Sequence, residues 1–122
     1  MDEKIFDDLG AFEEKEGIVI CAANSYQEKY YFNPLFRMLP NSVKDELKIL
    51  CVSFTEKAGG ILALSFDREG SLQFKVMVSE GDYLFDEIES GILISHFQRK
   101  KKEILEEVEL FYKVLFLGKE VS

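Results

Sequence analysis

His96 is the only histidine of this chain, and Cys21 and Cys51 are its two cysteines. A Ser–His–Asp or Cys–His arrangement would therefore have to use His96. Ser95 adjoins it and Ser90 is close, but consecutive residues of a helix do not face one another. His96 reads as a surface or boundary histidine. One imidazole and two well-separated thiols do not make a structural zinc site, and neither cysteine belongs to a C-x-x-C pair. Both lie in apolar runs, where a free thiol acts as a small buried hydrophobe. The residue types thus predict no catalytic residue, no metal and no cofactor.

Charged runs offer little more. The stretch Glu80, Asp82, Asp86, Glu87, Glu89 lacks the alternating oxygen ligands, central glycine and closing glutamate of a calcium loop. It reads as a solvated acidic segment. Arg99 to Lys102 is a basic run, but Glu103, Glu106, Glu107 and Glu109 follow it. Lys102 with Glu106, and Glu109 with Lys113, sit at helical i,i+4 spacing, so a solvated helix face explains them. Neither a P-loop nor a G-x-G-x-x-G fingerprint occurs, which excludes those two phosphate-binding designs. The most suggestive cluster is aromatic: Tyr26, Tyr30, Tyr31 and Phe32. Neighbours on a strand alternate faces. Tyr30 and Tyr31 therefore cannot share one core, and a large exposed aromatic marks an interface.

The elements that must hold these residues follow from composition and period. The chain has 122 residues, 47% of them hydrophobic and 31% charged, with eleven Phe, five Tyr and no Trp. That is the balance of one globular α+β domain, residues 1–122, able to bury a core without disulfide or metal. The net charge of −8 repels phosphate backbones and anionic lipid, so nucleic-acid and membrane partners are disfavoured. The start Met1-Asp-Glu-Lys has no signal pattern and no apolar run reaches membrane-spanning length. With its cysteine usage, this predicts a cytoplasmic protein.

Two hairpins are legible. Ile18–Ala23 and Glu28–Phe32 flank an Asn24-Ser25 turn. Leu62, Leu64 and Phe66, then Leu72, Phe74, Val76 and Val78, alternate with polar or small residues around Asp67-Arg68-Glu69-Gly70. About four antiparallel strands result. Between the hairpins, Val43, Leu47, Leu50, Cys51, Phe54 and Ala58 form one helical stripe, with Ser42 as N-cap and Asp45 and Glu46 in the first turn. Gly59-Gly60 ends it. A last, long helix is predicted over 93–117, with Lys101 inside its apolar stripe and Tyr83–Glu89 as a short helix or connector before it. Both amphipathic helices are expected on one face of the sheet. Ile5, Phe6, Leu9 and Phe12 suit an N-terminal helix over 2–16, loosely attached, which Gly10 and the dense carboxylates weaken.

The pieces Cys-Ala-Ala-Asn-Ser-Tyr26, Lys29-Tyr-Tyr-Phe-Asn-Pro34, Leu47-Lys-Ile-Leu-Cys-Val-Ser-Phe-Thr55 and Gly59-Gly-Ile-Leu62 resemble a family of small acidic bacterial proteins of unknown function. The resemblance spans nearly the whole chain and implies no activity. The order of elements alone is similar to roadblock/longin-type modules, which dimerise and scaffold small GTPases. They carry three later strands where this chain has two.

Three functions compete. The first is a non-enzymatic protein-interaction module, acting through a protein partner or by self-association as a homodimer, with Tyr30, Tyr31, Phe111 and Tyr112 as candidate interface residues. The second is a small-molecule sensor or carrier with an apolar pocket between sheet and helices, lined by Phe54, Phe66, Phe74, Phe97, Phe111 and Tyr112. The third is an enzyme using His96, Cys21 or Cys51 beside a carboxylate.

Overall fold

A computed structural model describes residues 18–118. The expected helix over 2–16 lies outside the described residues. Strands β1 (Val19–Asn24) and β2 (Lys29–Phe32) form the first hairpin, and β3 (Ile61–Phe66) and β4 (Leu72–Met77) the second. All neighbours are antiparallel, in the order β2-β1-β3-β4. The register sets Cys21 opposite both Phe32 and Leu64, and Ala23 opposite both Tyr30 and Leu62. On β3 and β4, Leu64 faces Phe74 and Leu62 faces Val76. Because side chains alternate, these residues share the face that carries the main core. Val19, Ala22 and Ala63 form a second cluster, with Tyr31 and Met77 packed against it.

The second hairpin closes as its turn residues require. Asp67 Oδ1 accepts from Glu69 N and Ser71 N, both at 2.9 Å. Gly70 holds φ +90, a backbone region that disfavours any Cβ.

A 3-10 turn, Pro34–Phe36, links the first hairpin to helix α1 (Asn41–Ala58). Helix α1 buries the predicted stripe from Val43 to Ala58. Its start differs from the expected one. Pro40 is the capping position, with no side-chain cap, and its carbonyl accepts from Lys44 N at 3.1 Å. A proline has no N–H to leave unsatisfied and sets the boundary itself. Ser42 therefore falls inside the helix, and Asp45 and Glu46 lie beyond the first turn.

The long C-terminal helix is two helices, α2 (Glu87–Lys100) and α3 (Lys102–Leu115). Lys101 breaks them with φ −107 and ψ 22. It occupies a position in the apolar stripe, with its side chain 29% exposed. Its ammonium reaches Glu46 Oε1 on α1 at 2.6 Å. The break lets each half bury its own row: Ser90, Leu93 and Phe97 on α2, and Leu105, Val108 and Tyr112 on α3. The result is an α+β fold, a four-stranded antiparallel sheet with three helices. No helix among the described residues is long and apolar enough to cross a membrane.

Candidate functional site

The chain from Val78 to Asp86 connects β4 to α2, and two carboxylates shape it. Asp82 Oδ1 accepts from Leu84 N at 2.9 Å, while its Oδ2 accepts from the Tyr26 hydroxyl at 2.5 Å. Tyr26 in turn accepts from Ser79 N at 3.0 Å, so the first hairpin's turn is tied to the connector. The Tyr26 hydrogen bond holds the Asp82 carboxyl below its ordinary pKa. Burial, followed by the Asp82 bond, pushes the Tyr26 hydroxyl up. Asp86 then caps α2, its Oδ1 accepting from Glu89 N at 2.9 Å. The acidic segment is thus in part a set of turn and cap residues. The Asp86-x-x-Glu89 spacing was the sequence signal for this helix start.

This connector delivers an exposed apolar surface. Tyr83 is 95% exposed, Leu84 94%, Ile88 78% and Ile92 58%. Leu84, Ile88 and Ile92 recur every four residues, a row offset from the buried Ser90, Leu93 and Phe97. Two apolar rows on one helix were the legible signal, and the inner row alone accounts for the core. The same outer face carries Gly91, Ser95 and His96, all exposed. The His96 ring meets Phe97 edge-on at 5.7 Å.

A second feature is a cleft of about 760 Å³ between α1 and the turn end of the first hairpin. Asn24, Glu28, Tyr30, Lys48, Thr55 and Glu56 are among its lining residues. Asn24 is buried, and its Oδ1 accepts from Tyr26 N and Gln27 N at 2.9 and 3.3 Å. Its Nδ2 has no hydrogen-bond partner among the described residues. Glu28 sits in the left-handed region at φ 52. The Lys48 ammonium stands 5.8 Å over the Tyr30 ring.

Beside Tyr30 lie the two thiols. Cys21 and Cys51 are buried and free, with their Sγ atoms 3.7 Å apart. The hydrogen bond with Cys21, and then burial, push the Cys51 thiol well above its ordinary pKa. Burial, followed by the two cysteines, pushes the Tyr30 hydroxyl up. The raised Cys51 pKa and the burial of both side chains suppress reaction through the thiolate, which is the reactive form. An aromatic disulfide reagent should label the native thiols roughly a hundredfold slower than the urea-unfolded chain. Rapid release of one equivalent from the native protein would contradict this.

The structure disperses the four candidate interface residues. Tyr112 is buried, its ring stacked 4.0 Å from that of Phe66, so it belongs to the core. Phe111 is half-buried, its ring 6.2 Å from that of Phe36. Tyr30 faces the helices and Tyr31 the opposite side of the sheet, both half-buried. The aromatics proposed to line an apolar pocket pack into the core. Phe54, Phe66 and Phe97 are buried members of it, with Phe74 and Phe111 packed against it. The cleft opens elsewhere, at the hairpin end. Among the described residues, no group of three His, Cys, Asp or Glu side chains could hold a metal ion.

No curated protein and no solved structure matches the chain. The family described as "Family of unknown function (DUF6145)" matches residues 17–120. That stretch contains every described strand and helix together with the exposed α2 surface, and the chain accordingly belongs to this family.

Proposed function

We propose that the protein is a non-enzymatic protein-interaction module that works through the outer face of α2 and the connector before it. The observation that carries this reading is the row Tyr83, Leu84, Ile88 and Ile92, exposed from 58% to 95%. Large apolar side chains held together in water mark an interaction site, and this chain has enough buried apolar residues to fold without them. The chemistry available elsewhere supports the same reading. The thiols are buried, and His96 stands on an exposed helix face. The cytoplasm is the proposed compartment, because both cysteines are free and an unpaired thiol persists in a reducing environment.

The test is light scattering coupled to size-exclusion chromatography over a concentration series. Wild type should run as a dimer. Ile88→Lys with Ile92→Lys should run as a monomer while melting within a few degrees of wild type, because exposed positions contribute about 0.5 kcal/mol or less to folding. Identical masses for wild type and variant at every concentration would remove the reading.

A small-molecule carrier is the second reading, favoured by the unpartnered Asn24 Nδ2 in the cleft beside Tyr30. A melting temperature that rises with an added polar metabolite, and no longer does so in Asn24→Ala, would support it. A melting temperature that does not respond to a broad panel of such compounds would count against it.

A further inference from the structure

The sheet has two faces, and the three helices cover one of them. Every buried apolar side chain of α1, α2 and α3 belongs to the main core. Val19, Ala22 and Ala63 form the separate cluster on the opposite face, and no buried apolar residue of a helix joins them. Ser65, paired with Val19 and two residues on from Ala63, lies on the same face. All four are on the two central strands, and each is 1% exposed or less. Neighbours on the outer strands shade a central alanine from the side but not from above. We propose that the chain's own residues 2–16 dock on this second face, with Ile5, Phe6, Leu9 and Phe12 over its two alanines. This inference is independent of the α2 reading and concerns a different surface.

Charge decides the occupant. The four strands contain no carboxylate, and their two lysines, Lys29 and Lys75, both fall on the second face. Lys75 is the register partner of Ala63, and Lys29 stands two residues before Tyr31, the partner of Ala22. In a chain of net charge −8, this sheet face is therefore basic. Residues 2–16 carry seven carboxylates and two lysines, the complementary sign. A second copy is the competing occupant. A two-fold contact through this face would set the same lysines against one another, a cost that interfaces avoid. The tethered segment meets no such repulsion and needs no encounter with another molecule.

Shape and reach agree with charge. Ala22 and Ala63 stand directly opposite each other, with Tyr31 and Lys75 outside them in the same cross-strand row. Small residues flanked by large ones leave a trough that a row of bulky apolar side chains can fill. Ile5, Phe6, Leu9 and Phe12 recur at the spacing of one helical face. A helix of that segment's length would be about 22 Å long, against about 15 Å across four strands. The segment also joins the fold at the right place. It leads into β1, a central strand, so its near end is fixed at the middle of the sheet.

Zero-length carbodiimide coupling of the full chain, mapped by mass spectrometry, tests this. Carboxylates of residues 2–16 should couple to Lys29 and Lys75 of the same chain roughly tenfold more than to Lys57 and Lys100. Those last two are exposed on α1 and α2 and serve as the reference. Phe6→Ser with Leu9→Ser should abolish the preference and lower the melting temperature by roughly 5 °C or more. Coupling spread evenly over the lysines, or a double variant that couples and melts as wild type does, would overturn the inference. A mixture of isotope-labelled and unlabelled chains identifies the competing occupant. If the links to Lys29 and Lys75 form chiefly between labelled and unlabelled chains, a second copy covers the face and the inference falls.

Discussion

Phe66→Ala should destabilise the protein by about 3–5 kcal/mol, measured by urea unfolding. Phe66 ends β3 and is fully buried. Its ring stacks 4.0 Å from Tyr112 with 1° between the planes, and 5.7 Å from Phe36. Phe116 closes the group, 5.0 Å from Phe36 and 5.4 Å from Tyr112. Sheet, 3-10 turn and α3 therefore meet on one ring. Alanine would remove the common contact and leave a cavity that three rigid rings cannot collapse into. The loss is a large share of a typical total of about 5–15 kcal/mol. Phe66→Leu, which keeps most of the volume, should cost about 1.5 kcal/mol or less. If alanine cost as little as leucine, the aromatic group would not be what joins α3 to the sheet.

Asn33→Ala should cost about 2–3 kcal/mol, because it orphans two backbone groups at once. Asn33 is buried at the end of β2. Its Nδ2 donates to the Val19 carbonyl at 2.8 Å, and its Oδ1 accepts from Leu35 N at 2.9 Å. Its own N–H donates to the Ile20 carbonyl at 2.8 Å. The side chain therefore extends the β1–β2 pairing by one bond and caps the 3-10 turn together. The same denaturation experiment reads the loss. A cost under about 0.5 kcal/mol would mean that water replaces both bonds without penalty.

The strands were more legible than the helices. Leu62, Leu64 and Phe66 alternate with Ala63 and Ser65, and period two is a local property that no distant contact alters. Both predicted hairpins stand within two residues of their expected ends. The α1 stripe was equally plain, but its cap was not, since Pro40 outcompetes Ser42 for the boundary. The break at Lys101 was hidden for a different reason. The apolar row runs on through it from Phe97 to Leu105, and only Glu46 on another helix explains why the row turns there. The candidate surface is hard to read from the sequence, where the aromatic Tyr112 and Phe111 stand out more than Ile88 and Ile92. Burial of Tyr112 depends on Phe66 and Phe36, which lie far from it along the chain. Exposure of Ile88 and Ile92 depends on which of two apolar rows the core selects, and that choice is made by tertiary packing.

The strand order has a consequence for how the chain reaches this structure. β1 pairs with β2, and β3 with β4, across short turns, whereas β1 and β3 pair only after α1 has been spanned. Each hairpin can zip from its own turn on a microsecond scale. Joining them must close a much longer loop, and the entropy of that closure is repaid only when the β1–β3 ladder and the α1 stripe form together. Helix α1 eases the step, because a helical connection is short and stiff where a coil would wander. The rate-limiting event is then expected to be the docking of two halves along their central strands, which folding and unfolding rates over a denaturant series would read. Substitutions at Cys21, Ala23, Leu62 or Leu64, where the halves meet, would slow folding, while those in the outer strands would mainly hasten unfolding.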